Sequence, residues 1–98
     1  MFAIRLTRGA MKELKRLRPR DRARVVDEIE RCLAEQPREP SRNRKELTAL
    51  VPPWERVPPV WELRVGDHRV FYDVDAEARV VVVRAVRRKG RATTEEIV

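Results

Sequence analysis

Trp61-Glu62-Leu63-Arg64-Val65-Gly66-Asp67-His68-Arg69-Val70-Phe71-Tyr72-Asp73 is the stretch whose reading decides the fold. Two runs rich in β-branched and aromatic residues, Val60 to Val65 and His68 to Val74, flank the dipeptide Gly66-Asp67. Glycine at the first central position is what a type II′ turn requires, so the stretch reads as a β-hairpin. Strict alternation places Arg69, Phe71 and Asp73 on one face of the second strand and His68, Val70, Tyr72 and Val74 on the other.

Outward toward the C-terminus, Asp75-Ala76-Glu77-Ala78 reads as a turn into a further strand, Arg79 to Val86. Its Val80-Val81-Val82-Val83 run suits a central strand buried on both faces. Gly90 ends that region, and Thr93 or Thr94 can cap a short terminal turn through Glu95 and Glu96. At the other end, Phe2, Ile4 and Leu6 alternate with Ala3 and Arg5, the period of a half-buried strand. Thr7 then suits the N-cap of a helix from Arg8 to about Leu17, with Ala10, Leu14 and Leu17 on one face. Pro19 is tolerated in the first turn of a second helix, where Val25, Val26, Ile29, Cys32 and Leu33 form an apolar stripe running up to Gln36-Pro37. Between Arg38 and Pro59 the pattern fades into a loop ending in two Pro-Pro pairs. The expectation is one α+β domain over residues 1–98, ordered β-α-α-β-β-β, with a small antiparallel sheet and a helical hairpin packed on one face.

Composition narrows the function. The 98 residues carry 23 Lys plus Arg against 16 Asp plus Glu, a formal net charge of +7. Such an excess on a small body implies a polyanionic partner or an acidic protein. The one cysteine, Cys32, has no internal disulfide partner and lies on the apolar stripe, where it serves as a small hydrophobe. With no signal-peptide pattern and no long apolar run, the chain reads as cytoplasmic with no membrane partner. Ser41 is the only serine and His68 the only histidine, which disfavours a serine triad and leaves too few ligands for a His/Cys metal site. No cofactor is expected.

The candidate site residues are cations. Arg69 lies mid-strand, and two readings stand for it: an ion pair with Asp67, Asp73 or Glu62, or a phosphate contact. Arg84, Arg87, Arg88, Lys89 and Arg91 crowd the segment after the valine strand, and guanidinium groups match phosphate bidentately. The alternative there is a solvated tail or a docking surface for an acidic protein. Arg42-Asn43-Arg44-Lys45 forms a second cluster, read either as a solvated loop or as an RNA contact together with Arg64. Trp54 and Trp61 suit core packing, with base stacking as the other possibility. His68 is of the residue type suited to general acid or base work, or else sits satisfied against the helices.

Taken together, the opening strand, the Ala10…Lys12-Glu13-Leu14…Leu17 helix, the Ser41 to Lys45 loop, the hairpin from Trp61 to Val74, the valine strand and the basic C-terminal stretch resemble the RelE/ParE superfamily of bacterial toxins. The resemblance implies two helices on a small antiparallel sheet. For RelE-like members it implies a metal-independent endoribonuclease cutting messenger RNA on the ribosome; for ParE-like members, inhibition of DNA gyrase; for both, a cognate acidic antitoxin. Residue by residue, Arg69 matches the arginine aimed at the scissile phosphate, and Arg88 or Lys89 the basic residue after the last strand. The base would be drawn from His68, Glu62 or Lys45, with Lys45, Arg44, Arg42, Arg64, Arg87 and Arg91 as RNA contacts. The sequence departs from the pattern at Glu62, where RelE-like members carry lysine, and at the C-terminus, which has Thr94 and Glu95 but no tyrosine.

Overall fold

A computed structural model describes residues 1–98. Its elements are β1 (Ala3–Leu6), α1 (Arg8–Lys15), α2 (Pro19–Leu33), β2 (Arg44–Leu47), β3 (Val60–Val65), β4 (His68–Asp75), β5 (Val80–Arg88) and α3 (Thr94–Ile97). One sheet holds all five strands in the order β1-β5-β4-β3-β2. β1 runs parallel to β5 and the remaining pairs are antiparallel.

The hairpin stands as expected. Val65 pairs with His68, and Gly66 alone of the two turn residues has positive φ, +57°, which fits type II′ and excludes type I′. Thr7 caps α1 by accepting from the Ala10 N–H, and Pro19 opens α2. Arg22 closes the other end of α1, its guanidinium donating to the carbonyls of Leu14, Lys15 and Leu17. Both helices end short of the expected positions, at Lys15 and Leu33 rather than Leu17 and Gln36.

Three expectations are corrected. The Arg38 to Pro59 segment is not all loop, because Arg44–Leu47 pairs with β3 as an edge strand. Its Arg-Lys-Glu-Leu sequence shows no apolar alternation because neither face of this edge is deeply buried; charge on an edge strand also discourages pairing with another chain. β5 lies inside the sheet, yet Val80 and Val82 are only half-buried while Val81 and Val83 are fully buried. The strand buried on both faces is β4, the middle one, from His68 to Val74. Third, a helical hairpin on one face alone would leave the other face of the sheet open, and it is not open. Trp54 packs on Phe71 with ring centroids 5.7 Å apart, and α3 is tied down there by Arg87, whose Nε donates to the Ile97 carbonyl at 2.9 Å.

The core between helices and sheet joins Leu14, Val25, Ile29 and Leu33 to Leu63, Val70, Tyr72, Val81 and Val83. Beyond Leu6, β5 has no strand neighbour on the β1 side, and α1 serves that edge instead. The Thr7 hydroxyl donates to the Arg84 carbonyl at 3.2 Å, and Glu13 accepts from the Val86 N–H at 3.0 Å. Tyr72, stacked on Trp61, donates its hydroxyl to the Pro37 carbonyl at 2.6 Å, fastening the chain after α2 to the sheet. Burial pushes that phenol well above its ordinary value. Tyr72→Phe leaves the carbonyl without its donor, and urea unfolding is expected to register a loss of ~1–3 kcal/mol.

Candidate functional site

Pairing across β2, β3 and β4 brings Lys45, Glu62 and Phe71 into one row and Arg64 and Arg69 into the next, all on the face away from α1 and α2. Arg64 is exposed; Arg69, directly opposite, is 7 % exposed. Two facing cations repel, and Glu62 answers only the buried one, with its Oε1 3.5 Å from the Arg69 Nε. Arg69 also donates from Nη1 to the carbonyls of Gly66 and His68, at 2.8 and 2.9 Å. Above them, the Thr94 hydroxyl of α3 donates to the other Glu62 oxygen at 2.9 Å. Burial, ion pair and two carbonyls thus hold this guanidinium inside the protein, the arrangement of a structural pair.

The C-terminal cations divide. Arg84, on the residue where the β4–β5 register shifts, meets buried Asp73 at 2.8 Å. Arg87 is paired with Glu13 and stacked 5.6 Å from the centre of the Trp54 ring. Its burial lowers its proton affinity. Arg88 bridges to Asp67 in the hairpin turn at 2.9 Å, and its charge holds the Asp67 carboxyl below the ordinary value. Lys89 and Arg91 make no ion pair.

Free cations converge instead around β2. Arg42, Lys45 and Arg64, with Ser41, Asn43, Arg44 and Glu62, line a concavity of about 140 Å³ that has no apolar lining residue. Within it Arg44 is structural, since Nε donates to the Glu39 carbonyl and Nη1 to that of Cys32. His68 is elsewhere. Its side chain shares the helix side with Val65 and Val70, on the opposite face from Lys45, Arg64 and Arg69. The structure therefore groups Arg42, Lys45 and Arg64 beside Arg69, and separates them from His68 and Arg88. Sequence reading did not foresee Glu13 as the partner of Arg87. The signal was present in its place on α1, next to a strand edge that β1 is too short to cover.

The cap of α3, the helix whose Thr94 meets Glu62, depends on pH. α3 begins with a capping box in which Thr93 N–H donates to the Glu96 carboxylate at 2.9 Å. That hydrogen bond, then the one with the Thr93 side chain, holds the Glu96 carboxyl below its ordinary 4.5. A depressed folded value means the cap is complete above 4.5 and is lost as pH falls through the folded value. The Thr93 amide is accordingly expected to lose hydrogen-exchange protection, after correction for intrinsic rate, in that acidic window alone.

The family model described as ParE toxin of type II toxin-antitoxin system, parDE, matches residues 4–92. No curated protein sequence matches significantly. Among solved structures, the chain is similar to the RelBE2 toxin–antitoxin complex of Mycobacterium tuberculosis, at 28% identity and TM-score 0.69 over 89% of this chain and 96% of the other. The archaeal RelE–RelB complex of Pyrococcus horikoshii OT3 is 20% identical with TM-score 0.71, over 93% of this chain and 98% of that one. The intact Escherichia coli RelBE complex is 21% identical with TM-score 0.59, over 95% and 99%. The last two likenesses concern the fold.

Proposed function

The chain belongs to the ParE-toxin family of type II toxin–antitoxin systems, in the RelE/ParE superfamily, and on that premise we propose that it is a RelE-like toxin directed at ribosome-bound messenger RNA. One observation carries this reading: Arg42, Lys45 and Arg64 line a concavity without a single apolar side chain. Such a surface suits a phosphodiester chain, whereas a protein interface is built around an apolar or aromatic centre.

Cleavage by 2′-hydroxyl attack needs a proton acceptor, charge stabilisation at the phosphorane and a donor for the leaving 5′-oxygen. Arg64 supplies a planar fork for the phosphate and Lys45 a mobile ammonium, and Lys89 and Arg91 of the C-terminal stretch are further cations without an ion pair. Arg69 joins them only when Glu62 releases it. The chemistry is therefore that of a slow or ribosome-assisted nuclease. A cognate antitoxin with an acidic segment is the proposed inhibitor, supported by the net charge of +7 and by the antitoxin-bound state of the solved relatives.

The test is to map messenger RNA ends after adding the protein to translating ribosomes. New ends within open reading frames are expected, and Lys45→Gln with Arg64→Gln should abolish them; intact transcripts from a toxic preparation overturn the nuclease. A second reading, ParE-like inhibition of DNA gyrase, is favoured by the Glu62–Arg69 pair, which withholds the phosphate-directed arginine. Loss of supercoiling at stoichiometric protein, with transcripts intact, would establish it.

A further inference from the structure

A larger cleft lies on the other side of the hairpin tip. It has a volume of about 390 Å³, between the α1–α2 turn, the start of α2 and the β3–β4 turn. Leu17, Val25 and Val65 contribute its apolar lining; the charged lining includes Arg16, Arg18, Arg24 and Arg88, with His68 beside them. The carboxylates lining it are Asp21 and Asp67, and Asp67 is already taken by Arg88 at 2.9 Å. Four guanidinium groups against two carboxylates leave the lining at +2 with His68 neutral.

Three of those arginines have no protein partner: Arg16, Arg18 and Arg24 are exposed, and none of their guanidinium groups makes a hydrogen bond or ion pair. Arg24 is nevertheless placed. Its guanidinium lies over the hairpin turn, so that a Cβ built on Gly66 would come within 2.7 Å of its Nη1. A glycine with φ +57° thus serves the turn and also makes room for the arginine. The first turn of the 15-residue helix α2 contributes Arg18 and Asp21 to the same lining, and its N-cap, Arg18, makes no side-chain cap hydrogen bond.

We propose that this cleft is a second phosphate site, which seats a backbone phosphate of structured RNA between Arg16, Arg24 and the start of α2. The inference rests on the reading of the chain as an RNA-directed toxin and extends it. Lys45 and Arg64 face one side of the sheet, while His68 and Val65 face the other. An RNA strand held at the first site and a phosphate held at the second would therefore lie on opposite sides of the hairpin tip. Because the two sites lie on opposite faces of the sheet, the occupant proposed for the cleft is a neighbouring segment of folded RNA. In the ribosome-bound state such a grip would orient the tip against RNA that is not itself cut.

The only histidine of the chain reports on the cleft directly. With the full chain and a short blunt RNA duplex, the His68 imidazole resonances are expected to shift on titration. Arg16→Gln and Arg24→Gln, both at exposed positions, should each weaken binding and lower the slope of log K against log salt by about one. Lys45→Gln with Arg64→Gln should leave the His68 response in place while removing transcript cleavage on ribosomes. RNA binding that depends on Lys45 and Arg64 but leaves His68 unmoved and tolerates Arg24→Gln overturns the second site and leaves the proposed function standing. Shifts at His68 with intact transcripts leave the cleft standing and remove the nuclease. A His68 response to inorganic phosphate without one to RNA assigns the cleft to a small anion and overturns the RNA proposal; absence of any RNA binding overturns both readings.

Discussion

Asp73→Ala is expected to lower the unfolding free energy by ~3–5 kcal/mol, the largest stability loss of any single polar substitution considered for this fold. Asp73 is 1 % exposed and accepts from Arg84 at both carboxylate oxygens, 2.8 and 3.2 Å. It also takes the Val57 N–H at 3.2 Å, which anchors the end of the Trp54 loop to β4. Truncation leaves a guanidinium that is 15 % exposed without a counter-charge, and a backbone N–H without an acceptor. Because a small domain has only ~5–15 kcal/mol in total, the variant should unfold at markedly lower urea, and near-ultraviolet signals from Trp54 should change with it. Asp73→Asn, which keeps the shape and part of the hydrogen bonding, should lose less. A midpoint unchanged in the alanine variant would show that Arg84 turns to solvent without penalty, and the buried pair would then carry little of the fold.

Glu62→Gln is expected to raise transcript cleavage on ribosomes by ~10-fold or more, a gain that adding Arg69→Gln to the same chain should remove. The reason is electrostatic. Glutamine keeps an acceptor for Thr94 but removes the charge that draws the Arg69 Nε inward at 3.5 Å. Arg69 then has only the carbonyls of Gly66 and His68 to hold it, next to Arg64, which repels it. A guanidinium freed toward the Lys45–Arg64 concavity adds a donor where phosphorane charge develops, and one such donor contributes ~10²–10³ in rate. The expected gain is smaller because release of Arg69 is incomplete and α3 still covers part of the face. Reduced cleavage in Glu62→Gln would mean that Glu62 takes part in the chemistry, and the substitution would have removed a proton acceptor. Under the gyrase reading the same variant leaves transcripts intact and changes supercoiling little.

Hydropathy period and turn chemistry act over short range, and what rests on them was legible in the chain. Gly66-Asp67 between two β-rich runs determined the hairpin, and alternation from His68 to Val74 assigned each residue of β4 to its face. Thr7 and Pro19 marked where two helices begin. The order of elements, read with the hairpin motif, was sufficient for the superfamily. Charge pairing was not legible, because it depends on which side chains meet after folding. Five cations within eight residues after the valine run look alike in sequence, yet Arg84, Arg87 and Arg88 find Asp73, Glu13 and Asp67, residues brought near by β4, α1 and the hairpin turn. Arg69 is buried against Glu62 for the same reason, and β2 exists only because β3 offers it a ladder. Local sequence determined the elements and their faces; only the tertiary structure decided which charges remain for a ligand, since an ion pair between distant residues is set by the packing that brings them within reach.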